Sequence, residues 1–222
     1  MLRWAPAAGL VIALVLGLAA YQTPDLTPTV RAIPHTVAVF IGDSYTAGAG
    51  SSGDGFAELI AQARGWEVVN LGRGGTGYLD SSRAEIAPVA CGLDYCPSYL
   101  EMIGTAARSS PDIVVVSGGR NDVDRATNPY WVDGVQAFFV ALRAMLPDAK
   151  IIATSPIWDA REVPGEIGIM QAVVHDAVTA VGGTYVDLGQ PLAGRPDYLA
   201  GDQVHPNDAG HAAIAEAFRQ RA

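Results

Sequence analysis

Ser44, Asp202 and His205 are the residues whose types and spacing could do covalent chemistry in this chain. A serine hydroxyl is a poor nucleophile until a neighbouring imidazole takes its proton, and that imidazole needs a carboxylate to fix its tautomer and direction. Asp202 and His205 stand three residues apart, so in a loop or a single turn their side chains can lie on one side of the backbone and touch. Ser44 follows Gly42 and Asp43 at the end of a β-branched run. Such a set could move an acyl group from an ester onto serine and then onto water. Alone, Gly42-Asp43-Ser44 is only a turn, and Asp202 with His205 could be a capped loop before the last helix. Asn207 and Asp208 are already available as caps there, which weakens the second reading.

Acyl transfer also needs donors aimed at the oxygen that becomes negative in the tetrahedral intermediate. Asn70-Leu71-Gly72-Arg73-Gly74-Gly75-Thr76 offers glycine backbone N–H groups, and Gly119-Arg120-Asn121-Asp122 offers a side-chain amide. Glycine and asparagine are also common turn formers, so each block is weak by itself.

These residues must be carried by elements that converge. Residues 36–41, 66–71, 112–117, 150–154 and 184–188 read as strands, with Ile113-Val114-Val115-Val116 the strongest strand signal. Helical spacing is expected over 56–64, about 98–108, 129–146, 166–181 and 207–221. Strands alternating with helices imply right-handed crossovers and a sheet covered on both faces. The fold expected is therefore α/β, a three-layer α/β/α sandwich on a five-stranded, mainly parallel sheet. Chemistry in such sheets gathers beyond the carboxyl ends of the strands, where Ser44, the 72–77 loop and Asn121 all fall.

In this order, Gly-Asp-Ser, a glycine loop, Gly-x-Asn-Asp and Asp-x-x-His-Pro resemble the blocks of the SGNH, or GDSL, hydrolase family, and they span residues 42–206. The resemblance implies a flavodoxin-like fold, a triad of Ser44, His205 and Asp202, and an oxyanion hole. That hole would be built from the Ser44 N–H, a glycine N–H and the Asn121 side chain. The family's usual count from Asn70 reaches Gly75, with Gly74 the neighbouring choice, and Gly77 stands where the family usually has threonine. It implies no cofactor, and the substrate would be a carbohydrate acetyl or other short-acyl ester, or a lipid ester. The family also contains acyltransferases.

Other readings are weaker. Residues 72–77 fit G-x-G-x-x-G, but Tyr78-Leu79-Asp80-Ser81-Ser82 is a poor helix start for a dinucleotide site. No serine has the G-x-S-x-G context of an α/β-hydrolase elbow. His35, His175 and His211 match no metal-ligand spacing, and each is expected to be structural. A catalytically silent binding domain conflicts with every chemical position being filled.

Residues 1–20 hold Arg3 and an apolar run over 7–20, the layout of a signal peptide or an N-terminal membrane anchor. Residues 21–34 read as a linker and 35–222 as the hydrolase domain. The run is shorter than the roughly 20 residues of a spanning helix. An exported protein, secreted or in a cell envelope, is expected, and Lys150 as the lone lysine among many arginines hints at a GC-rich bacterial genome. Export exposes Cys91 and Cys96 to an oxidising compartment, where one disulfide closing a small loop is expected. A net charge of −9 without a basic cluster disfavours nucleic-acid binding. A monomer is expected. Residues 91–96 and 157–166 are the candidate walls of the substrate pocket; Tyr78, Arg120 and Trp158 could line it or equally be ordinary packing or surface.

Overall fold

The structure is a computed structural model that describes residues 1, 35–81 and 85–222. Apart from Met1, the expected signal or anchor segment and the whole of the expected linker, residues 21–34, lie outside the described residues. Five strands form one sheet in the order β2-β1-β3-β4-β5: β1 Thr36–Gly42, β2 Trp66–Asn70, β3 Ile113–Ser117, β4 Lys150–Thr154 and β5 Thr184–Val186. Every neighbouring pair is parallel.

Strands β1 and β3 lie inside the sheet and are covered on both faces, which is why they read as continuous apolar runs rather than alternating ones. Their side chains alternate between two cores. Val39, Ile41, Val114 and Val116 face a core shared with helices α3 Tyr99–Arg108, α4 Pro129–Met145 and α5 Gly165–Ala180. Ala38, Phe40, Ile113 and Val115 face a second core shared with helices α1 Phe56–Arg64 and α6 Asp208–Arg221. The expected three layers follow from this period of two.

Local chemistry sets the helix ends. Ser98 accepts the Glu101 N–H while the Glu101 carboxylate accepts the Ser98 N–H, closing a capping box at the start of α3. Asn128 caps α4 ahead of Pro129, and Asn207 caps α6 by accepting the Gly210 N–H. Helix α1 stops at Gly65, whose φ of 66° is left-handed.

Three short elements have no counterpart in the sequence reading: helix α2 Ala87–Ala90 and 3₁₀ helices Arg120–Arg125 and Pro196–Tyr198. Each is a single turn or little more, too short to show a helical period. Cys91 and Cys96 form a disulfide with Cα atoms 6.1 Å apart. Among the described residues, no helix is long and apolar enough to cross a membrane.

Gly42 ends β1 opposite Ser117, the last residue of β3. A Cβ there would sit 2.0 Å from the Ser117 carbonyl oxygen and 2.1 Å from Thr46 Oγ1. Backbone cannot yield as a side-chain tip can. Gly42→Ala is therefore expected to cost about 3 kcal/mol, measured as a lower urea midpoint at unchanged m-value; an unaltered midpoint would contradict this packing.

Candidate active site

Strand order reverses at β1, since β2 follows it on one side and β3 on the other. The crossovers leaving β1 and β3 therefore diverge onto opposite faces and open a crevice beyond the two carboxyl ends. Ser44 lies two residues beyond β1, and Asn121 lies in the 3₁₀ helix that follows β3.

The turn carrying Ser44 is built by Asp43. Its buried carboxylate accepts the Tyr45 N–H at 2.9 Å and the Tyr99 hydroxyl, and burial pushes its carboxyl above the ordinary aspartate value. Thr46 Oγ1 donates to the Ser117 carbonyl at 2.7 Å, fastening the turn to β3. Ser44 itself is left partly accessible.

The glycine loop lies directly on this turn. Gly72 packs so closely that a Cβ would meet the Ala47 nitrogen at 2.4 Å. Asn70 donates to the Thr46 carbonyl at 2.7 Å and accepts the Gly72 N–H, and the Arg73 N–H reaches the Gly42 carbonyl. Gly74 is buried beneath helix α2, with its Cβ direction filled by the Ala90 carbonyl. Gly75 is exposed and has φ 70°, left-handed backbone that glycine adopts without strain.

Asn121 is exposed and donates from Nδ2 to the Thr76 carbonyl at 2.9 Å, which ties the block after β3 to the glycine loop. Next to it, Asp122 is fully buried and accepts the Tyr78 N–H at 2.8 Å. Burial pushes its carboxyl up to about 6. A Cβ on residue 77 would lie 2.3 Å from both Asp122 oxygens. Close approach of this carboxylate leaves no room for a side chain at Gly77.

His205 arrives from a loop closed by the bridge between Leu199 and Pro206 and by the Ala200 N–H to the His205 carbonyl. Its Nε2 lies 3.0 Å from Ser44 Oγ, and its Nδ1 lies 2.6 Å from Asp202 Oδ2. Asp202 also accepts the backbone N–H groups of Val204 and His205 at 2.9 and 3.0 Å. The His205 side chain and these N–H groups hold the Asp202 carboxyl down at about 2. The side chains of His205 and Asp202 are 29% and 51% exposed, so the contact chain opens directly to solvent. Chemically, this arrangement can deprotonate a serine hydroxyl and stabilise the resulting imidazolium.

The other histidines lie elsewhere. His211 is buried, accepts the Phe56 N–H at Nδ1 and donates from Nε2 to the Ala49 carbonyl; burial pushes its pKa down. His175 is exposed beside Asp176, and His35 is exposed ahead of β1. For two of the residues that could have lined a pocket, the packing alternative holds. Tyr78 is buried among Tyr99, Trp131, Phe138 and Phe139, because the chain turns inward at Gly77 and its ring completes the core. Arg120 is 7% exposed and ion-paired to fully buried Asp159, so it too faces inward. Sequence reasoning missed Asp43, Asp122 and Asp159 as organisers of the site, although the first two stand beside Ser44 and Asn121.

A match to the GDSL-like Lipase/Acylhydrolase family covers residues 40–213. The GDSL lipase Rv0518 of Mycobacterium tuberculosis is 30% identical over 183 residues, covering 79% of this chain and 77% of that protein. Among solved structures, the lipase Lip_vut3 from a goat rumen metagenome has a TM-score of 0.61 at 14% identity, covering 83% of this chain and 96% of its own. The acetylxylan esterase Axe2 of Geobacillus stearothermophilus has a TM-score of 0.52 at 23% identity, covering 83% and 93%. These two share the sheet architecture, while the matched span takes in Ser44, the glycine loop, Asn121 and His205. The chain thus belongs to the GDSL-like lipase/acylhydrolase family and, with it, to the carboxylic ester hydrolases.

Proposed function

We propose that this chain is an exported bacterial serine esterase in which Ser44, His205 and Asp202 act as a triad on carbohydrate acetyl or other short-acyl esters. The observation that carries the reading is the unbroken contact chain from Ser44 Oγ through the His205 ring to Asp202, at 3.0 and 2.6 Å.

In the first step His205 Nε2 takes the Ser44 proton as Oγ attacks the ester carbonyl. The Ser44 and Gly75 N–H groups and the second Nδ2 hydrogen of Asn121 receive the developing oxyanion. Collapse expels the alcohol, which leaves with the proton from His205, and the acyl group stays on Ser44. Water then gives a proton to His205 and attacks the acyl-serine, releasing the acid and restoring the hydroxyl. Gly75 is favoured over Gly74 because it is the exposed one of the two.

Substrate class is supported by the depression beside Gly75, walled by Leu79, Asp80, Ser81, Glu85, Ile86 and Arg125. Charges and a hydroxyl on those walls suit a sugar better than a long acyl chain. Export is supported by the apolar 7–20 run and by the Cys91–Cys96 disulfide.

A chain-length panel of p-nitrophenyl esters should show turnover concentrated on acetate and falling with length, all of it lost in Ser44→Ala. Activity surviving Ser44→Ala would remove the central assignment, and a preference for long chains would move the substrate to lipids. Asn121→Ala should lower kcat on the order of a hundredfold or more with the fold intact by circular dichroism; full turnover in that variant would exclude the amide from the oxyanion hole. The pH behaviour follows from Asp202. A carboxyl held down at about 2 contributes stabilisation that is complete above its ordinary 3.8 and lost only as pH falls through about 2. Asp202 thus stays ionised throughout any practical assay range. Asp202→Asn should lower kcat roughly a hundredfold to ten-thousandfold across the whole plateau of the pH–rate profile. A loss confined to the acid limb would contradict this.

A further inference from the structure

Tyr45, the residue after Ser44, is 3% exposed, and its hydroxyl donates to the Val204 carbonyl at 2.5 Å. That carbonyl belongs to the peptide joining Val204 to His205. On the other edge of the same stretch, the Val204 and His205 N–H groups are held by Asp202. Tyr45 also sets its ring against the His205 ring, 6.1 Å between centroids at 64°.

Tyr45 is fixed in turn. The Arg120 guanidinium donates from Nη1 to the Tyr45 hydroxyl and lies over two aromatic rings, 4.6 Å from the centroid of Tyr45 and 4.6 Å from that of Trp158. Its Nη2 pairs with Asp159 Oδ2 at 2.8 Å. Asp159 is completely buried on the loop after β4 and is clasped again by Arg161 through Nε at 2.8 Å and Nη2 at 2.5 Å. An arginine that is 7% exposed, paired to a buried carboxylate and set over two aromatic rings serves structure and is not presented to substrate.

We propose that Tyr45, Arg120 and Asp159 form a positioning relay that holds the His205 imidazole at its working distance from Ser44. Through this relay the loops after β1, β3 and β4 brace the loop that carries His205. The relay rests on the reading of Ser44 and His205 as nucleophile and base, and goes beyond it by assigning the support of the base. Tyr45 neither meets solvent nor lines the depression beside Gly75. Removing its hydroxyl should leave ester binding unchanged while loosening the peptide that aims the imidazole, and misplacement on the scale of an ångström is costly for proton transfer.

The test compares wild type, Tyr45→Phe, Arg120→Lys, the double variant and Ser44→Ala on p-nitrophenyl acetate. Tyr45→Phe keeps the ring and loses the bond to Val204. Its kcat should fall roughly tenfold with KM within about twofold, and the rate of Ser44 labelling by a fluorophosphonate should fall in proportion. Arg120→Lys keeps a cation for Asp159 but loses the stacked, forked geometry. Its defect should be of the same kind, and the double variant should be little worse than either single one because both act through one bond. Wild-type kcat in Tyr45→Phe, a parallel change in kcat and KM, or fully additive losses would each overturn the relay. Should Tyr45→Phe not fold, the kcat and KM values of Arg120→Lys decide the matter alone. Ser44→Ala separates the two levels: if it stays active the triad reading fails, whereas if it is dead beside a fully active Tyr45→Phe only the relay fails.

Discussion

A hydroxyl and an imidazole 161 residues apart meet because the strand order of the sheet reverses at β1. Parallel strands all deliver their following loops to one edge, and the reversal parts the loops leaving β1 and β3 so that a crevice opens between them. The last loop need only cross that edge for His205 to reach Ser44. The crevice is narrow, and the narrowness selects residues. The turn after β1, the glycine loop and the end of β3 approach within backbone contact, so Gly42 and Gly72 have no room for a side chain. The position of Ser44 is thus set by three backbones pressed together rather than by the preference of any single turn.

Carboxylates divide into two kinds at this edge. Asp43, Asp122 and Asp159 are buried and hold backbone N–H groups, hydroxyls or guanidinium groups that fix the loops. For Asp43 and Asp122 burial outweighs those bonds, and the carboxyls are pushed up. Asp202 is half-exposed, pays little desolvation and collects the His205 ring with two N–H groups, so its carboxyl is pulled down. An anion beside an imidazole helps only if it remains an anion when the imidazole becomes charged. Solvent exposure, which would weaken a structural ion pair, here spares Asp202 the desolvation that pushes the buried carboxyls up, so the bond to His205 and the two N–H groups keep it ionised.

Much of this was legible in the residues. Strands β1 and β3 announce themselves because burial on both faces demands continuous apolar runs, and α3 and α4 carry their caps in Ser98-x-x-Glu101 and Asn128-Pro129. Asp202 and His205 could be paired on paper because their contact is local, and the order of the four blocks pointed to Ser44. Contacts between distant segments could not be read. Nothing in the sequence tells Arg120 that its partner is Asp159, 39 residues away, or sends Tyr78 into the aromatic core instead of a pocket wall. Gly77 looked like a departure from the family's pattern, and the carboxylate that leaves it no room for a side chain is brought beside it only by the folded chain.

Residues 157–166 were expected to shape the pocket, and they include the residues that grip Arg120. Trp158 presents its ring to the guanidinium and donates its backbone N–H to the Gln190 side-chain oxygen on the segment after β5. A loop free to vary at its outer end would also be free to disturb the packing behind His205, unless its inner end were anchored separately. Here the anchor is Asp159, sealed from solvent and bonded twice over, while Arg161 two residues on is already largely exposed. The chain thus passes from a sealed anchor to an exposed side chain inside a single loop, within two residues.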